Sequence, residues 1–122
     1  MILGVGVDLV GVARVEAMLA KGFLERYYTP EEQAYVRGRG AAASESAAGI
    51  FAAKEAMLKA LGTGVASVGL LEAAVTHDTL GAPQAALGEK AKARLRAIGA
   101  SRMVLSITHA EGMAVAVAIA ES

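Results

Sequence analysis

Phe51-Ala52-Ala53-Lys54-Glu55-Ala56-Met57-Leu58-Lys59-Ala60-Leu61-Gly62-Thr63-Gly64 reads as a helix with its stop signal attached. Strong helix formers fill it, no proline interrupts it, and Gly62 stands where a C-terminal cap belongs. At about 100° per residue, Ile50, Phe51, Met57, Leu58 and Leu61 share one wide apolar face, and Ala48, Ala52, Ala56 and Ala60 share the other side. No wholly polar face is left, so the helix is expected to be packed on most of its circumference. Three charges interrupt this pattern. Lys54 falls in the middle of the apolar stripe, whereas Glu55 and Lys59 sit one turn apart on its boundary. A charge withdrawn from water needs a partner, a metal or a ligand. Glu55 and Lys59 read equally as an ordinary helical pair. Gly62-Thr63-Gly64 tips the balance towards function, since it offers backbone N–H groups beside a lysine, the equipment for holding phosphate.

Before this helix, residues 2–9 alternate as a strand: Ile2, Leu3, Val5, Val7 and Leu9, with Gly4, Gly6 and Asp8 between them. The glycines let a backbone or a ligand come close, and Asp8 shares their side. Capping of the next helix is the plainer reading of Asp8. Residues 11–21 follow as an amphipathic helix with Val12, Val15, Met18 and Leu19 inside and Arg14 off that side. Thr29-Pro30-Glu31-Glu32 marks a further helix start, expected to end near Gly38-Arg39-Gly40, with Ser44 or Ser46 capping the central helix.

After it come two weak strands, about 68–76 and 83–87, joined by a polar loop in which His77 reads as a solvated turn histidine. Residues 89–98 form a surface helix with Ala91, Leu95 and Ile98 inside and a basic outer face. Met103–Ala110 and Met113–Glu121 form a hairpin around Glu111-Gly112, with His109 placed at its open end. In that register Leu105 and Ile107 oppose Ala118 and Ala116, while Val115, Val117 and Ile119 take the other face. Both faces are apolar, and the one turned from the helix needs a cover, most economically another subunit.

One domain is expected at 122 residues. Twelve basic residues balance twelve acidic ones, which argues against a nucleic-acid binder. Aromatics make up only 4 % while alanine and glycine abound, so side chains to fill a monomeric core are thin and self-association is expected. The absence of cysteine excludes disulfides and thiolate metal sites and points to the cytoplasm. The N-terminal run has no signal-peptide pattern, and no apolar run reaches membrane-spanning length. Gly4-Val5-Gly6 lacks the third glycine of a dinucleotide fingerprint.

The remaining chemistry is a carboxylate near the end of a strand, a carboxylate and a lysine on a buried helix, and a glycine turn. Two hard oxygen donors suit magnesium, with waters and phosphate oxygens completing the shell. A lysine one turn away would neutralise charge on a leaving group. That chemistry acts on a phosphate ester or anhydride. The rival reading is a non-catalytic module that holds a nucleotide without turning it over.

Gly4-Val5-Gly6-Val7-Asp8 with Arg14, and Phe51-Ala52-Ala53-Lys54-Glu55-Ala56 through Lys59-Ala60-Leu61-Gly62-Thr63-Gly64, closely resemble the holo-[acyl-carrier-protein] synthases. These are the short, trimeric group of 4′-phosphopantetheinyl transferases. Gly81-Ala82-Pro83 and Ser106-Ile107-Thr108-His109 extend the resemblance along the whole chain. It implies an α+β fold, with a small antiparallel sheet on the long central helix and three copies per assembly. It also implies transfer of 4′-phosphopantetheine from coenzyme A to a serine of apo acyl carrier protein, as in lipid and fatty acid biosynthesis. By position, Asp8 and Glu55 would hold magnesium, Glu55 would help deprotonate the serine, and Lys59 would stabilise the departing adenosine 3′,5′-bisphosphate. Lys59, Gly62, Thr63, Gly64, Pro83 and His109 would bind coenzyme A between subunits. Arg14, Lys21 and Arg26 would dock the acidic carrier. Three positions depart from the family pattern. Ile50 stands where an arginine is usual, Gly22 where a basic residue is common, and Met57 is a packing change. Loss of that arginine removes a phosphate contact, which Arg37, Arg39 or another chain would have to replace.

Overall fold

The computed structural model describes residues 1–64 and 67–122. In chain order, β1 (Ile2–Gly11) leads into three short helices, α1 (Val12–Leu19), α2 (Phe23–Tyr27) and α3 (Pro30–Arg37). A turn of 3₁₀ helix then enters the long α4 (Ala43–Ala60). The hairpin β2 (Ala73–His77) and β3 (Pro83–Leu87), helix α5 (Glu89–Ala97) and a second hairpin, β4 (Arg102–Ala110) and β5 (Met113–Glu121), complete the order. The larger sheet is antiparallel, in the order β1-β5-β4; β2 and β3 pair separately. This is the expected α+β arrangement. No helix of the described residues is long and apolar enough to cross a membrane.

Alternation in β1 and β5 decides how α4 seats. Gly4, Gly6, Asp8 and Val10 pair with Ala120, Ala118, Ala116 and Ala114, and all four alanines are fully buried. With so little side chain on the inner face, the helix backbone lies directly on the sheet. A Cβ added to Gly4 would come 1.9 Å from the Ala60 carbonyl oxygen, and one on Gly6 1.8 Å from that of Ala56. The glycines thus admit the helix itself, and the small residues build a closely approached core. The other side of α4 packs larger groups, Phe51 meeting Phe23 edge-on at 5.4 Å between ring centroids.

Lys54 finds its partner inside the protein. Its Nζ lies 2.7 Å from Glu32 Oε1 and donates to the carbonyl oxygens of Leu70 and Ala73 at 2.8 and 3.4 Å. Glu32 also accepts from the backbone N–H of Thr29 at 2.8 Å and of Val75 at 2.7 Å. The same carboxylate therefore completes the Thr29 capping box and ties α3 and α4 to β2.

Several details differ from expectation. Neither Ser44 nor Ser46 caps α4; its N-cap is Ala42, because the preceding 3₁₀ turn already supplies helical backbone. The first weak strand begins as a 3₁₀ turn, Leu70–Glu72, and Ile98, the C-cap of α5, packs partly buried against the core. Glu111 and Gly112 do form the two-residue turn, both at positive φ (54° and 71°). His109 stands beside this closed end of the hairpin, not at the open one.

Candidate active site

Asp8 reaches α4 because it occupies the inner face of β1, opposite Ala116, where a larger pair would hold the helix away. Lys59, in the last turn of α4, turns its ammonium to this strand, 3.2 Å from Asp8 Oδ1 and 3.0 Å from the Val7 carbonyl oxygen. The alternative pairing of Lys59 with Glu55 is not made at ion-pair distance among the described residues. The capping role for Asp8 is also absent, since the N-cap of α1 is Gly11 and no side chain caps the helix. Glu55, one turn before Lys59, is partly buried. Burial pushes its carboxyl above the usual carboxylate range, and the negative charge of Asp8 pushes it further; Lys59 and Arg14 pull it back. Two carboxylates, a lysine and an arginine from β1, α1 and α4 thus act within one field. Such a centre can hold a cation, bind phosphate oxygens and accept a proton.

The glycine turn differs from its sequence reading. Gly62 takes positive φ (70°), as a helix stop requires. Its N–H donates to the Lys59 carbonyl oxygen at 3.0 Å, and that of Thr63 to Leu58 at 3.0 Å. Both donors close the helix and are not free for phosphate. Arg94, expected on a solvated face, braces this end by donating from Nε to the Leu61 carbonyl oxygen at 2.8 Å.

Pro83 and His109 line a different place, a cleft of about 210 Å³ shared with Tyr35, Arg39, Ile50 and His77. His109 lies over Gly49, where an added Cβ would come 2.8 Å from its Nε2. His77 is no loop residue. It ends β2 and stacks on Tyr35 at 3.8 Å between centroids and 7° between planes. Burial and the neighbouring Arg39 cation hold its imidazole below its usual pKa. Sequence reading missed this stack because its partners are 42 residues apart, Tyr35 to His77, on a helix and a strand that only the tertiary fold brings together. Arg14, Lys21 and Arg26 are exposed on and after α1.

The α+β fold brings two carboxylates and a lysine to the junction of its first strand and longest helix, the charges that phosphate chemistry uses. Comparison with known proteins narrows the class. Residues 4–118 match the family profile described as the 4′-phosphopantetheinyl transferase superfamily. The holo-[acyl-carrier-protein] synthase of Treponema denticola is 44 % identical over 122 residues, covering 99 % of both chains. Among solved structures, the holo-[acyl-carrier-protein] synthase of Neisseria meningitidis superposes with a TM-score of 0.89 at 35 % identity, covering all of both chains. That of Bacillus anthracis, described in complex with CoA (3′,5′-ADP), gives 0.84 at 37 % identity, covering 100 % of this chain and 98 % of that one. The chain belongs to the 4′-phosphopantetheinyl transferase superfamily.

Proposed function

We propose that this protein transfers 4′-phosphopantetheine from coenzyme A to a serine of apo acyl carrier protein, as a holo-[acyl-carrier-protein] synthase, with Asp8, Glu55 and Lys59 as its catalytic group. The observation that carries the residue roles is the approach of Lys59 to Asp8 within the field of Glu55. The serine oxygen attacks the phosphorus that bears pantetheine, the bond from that phosphorus to the adenosine bisphosphate breaks, and the serine proton leaves. Glu55 takes that proton, and its raised pKa makes it the stronger base for the purpose. Lys59, half exposed at the end of α4, offers its charge to the departing bisphosphate.

The donor set fits magnesium. No group of three or more acidic or histidine side chains gathers among the described residues, so a protein cage is not on offer. Two carboxylates within one field suit an ion that keeps waters and phosphate oxygens in its shell, and its charge would offset the burial and the Asp8 repulsion that together lift Glu55. When bound, magnesium supplies positive charge to the pyrophosphate. Pro83 and His109 belong to the coenzyme A side in this reading, joined by the Gly62-Thr63-Gly64 turn through groups other than the Gly62 and Thr63 N–H donors, which close the helix; Arg14, Lys21 and Arg26 belong to carrier docking. The assembly is a homotrimer that works in the cytoplasm.

Incubation with coenzyme A, magnesium and an apo carrier tests the reading. The carrier is expected to gain the mass of one phosphopantetheine. Tight coenzyme A binding with no mass gain would leave a binding module instead.

A further inference from the structure

Helix α5 carries four cations, Lys90, Lys92, Arg94 and Arg96, on a face that reads in sequence as solvated. The structure gives them different surroundings. Arg94 turns to the end of α4. Lys92 and Arg96 line a cavity of about 470 Å³ formed by α5, β3 and the start of β4. They stand one helical turn apart, so both charges share one face, and Leu95 falls beside them. Leu87 from β3, Leu95, and Met103 from β4 supply its apolar wall. Arg102 adds a third cation, and among the described residues no carboxylate lines the cavity. Two of these cations have partners outside it: Arg102 lies 2.9 Å from Glu121, and Lys92 a loose 3.9 Å from the exposed Glu89. Arg96 has no ion pair and donates no side-chain hydrogen bond among the described residues. Met103 pairs with the buried Ala120 on the inner face of the sheet, so the cavity lies away from the outer face. It shares no residue with the Asp8 centre or with the cleft at His109.

An apolar wall with a basic rim and no acid suits a ligand that has an apolar body and an anionic end. The volume falls in the range of about 300–1,000 Å³ common to small-molecule pockets. An acidic peptide helix would need a groove several turns long, whereas α5 gives the cavity little more than one turn, from Lys92 to Arg96. We infer that this cavity binds an unbranched fatty carboxylate, with its chain against Leu87, Leu95 and Met103 and its carboxylate between Lys92 and Arg96. The site is separate from the transfer chemistry and stands or falls without it.

Calorimetric titration of the full chain with hexanoate, octanoate and decanoate below micelle formation, and with octylammonium, tests the site. Affinity is expected to rise about fourfold per added methylene, and octylammonium should not bind. Arg96→Glu should weaken octanoate binding by at least about tenfold without altering the circular dichroism spectrum or the sedimentation of the protein. Lys90→Glu, an equal change of net charge on the same helix but outside the cavity, should leave binding as in the wild type. Absence of saturable binding, affinity that does not grow with chain length, or octylammonium binding as tightly as octanoate would overturn the site. Equal weakening by Lys90→Glu would reduce it to a general charge effect and overturn it as well. A changed sedimentation of Arg96→Glu would mark the cavity as an interface between copies of the chain, again against a fatty carboxylate.

Discussion

Glu55 is held at a cost to the fold. Its carboxyl has a raised pKa in the folded state, first through burial and then through Asp8. Below the ordinary carboxylate range the group is protonated in both states and costs nothing. As pH rises through the window between the ordinary and the raised pKa, the unfolded chain ionises first, and stability falls. Glu55→Gln should therefore unfold at a higher temperature than the wild type at neutral pH, by roughly a few degrees at most given its partial exposure. The gain should vanish in acid, and melting curves at both pH values check it. Lys54 is a second strained residue, since desolvation lowers its pKa while Glu32 opposes the shift. Lys54→Met should cost about 3–5 kcal/mol in urea unfolding by leaving the Glu32 carboxylate buried without its counter-charge. The need for a partner was legible in the position of Lys54 on the helical wheel. Its identity was not, because Glu32 also reads as an ordinary first-turn acid and only the tertiary fold buries it.

At the scale of elements, the junction of β1 and α4 governs the architecture. Gly6→Ala would drive a methyl group into the Ala56 carbonyl oxygen, a backbone atom with nowhere to move. The variant is expected to lose several kcal/mol, roughly the upper end of single-substitution effects, and thermal melting with circular dichroism would show it. Alternation revealed β1, β5 and the register of the last hairpin, with Leu105 opposite Ala118. Alternation also showed that Gly4, Gly6 and Asp8 share a face. It could not say what fills the space before the glycines, and the answer is the helix. The same limit explains Gly62 and Thr63: sequence shows a flexible turn, but the helix end claims both N–H groups. His77 and Tyr35 meet only because β2 lies beside α3, a neighbour relation that no local pattern encodes.

For the whole molecule, the outer face of the larger sheet is unfinished. Val5, Val7 and Leu9 are 59 %, 55 % and 60 % exposed, and Val104 continues the patch at 41 %. Sequence reading foresaw a second apolar face and drew self-association partly from thin side chains. The close approach of α4 to the sheet removes that part of the reasoning, and the exposed face now carries it alone. If the proposed trimer forms through this face, Leu9→Glu is expected to sediment as a monomer at micromolar concentration where the wild type sediments as a trimer, with the fold intact. A monomeric wild type would contradict the trimer.

The central claim joins all three scales: Asp8 and Glu55, set by one strand and one helix, act around one divalent ion. The most direct measurement is the magnesium dependence of carrier modification by the wild type and Asp8→Asn, followed by mass. The variant is expected to lose at least about 100-fold in kcat/KM at ordinary magnesium, with part of the loss restored as magnesium is raised. Turnover by Asp8→Asn equal to that of the wild type, at any magnesium concentration that supports the wild type, would contradict it.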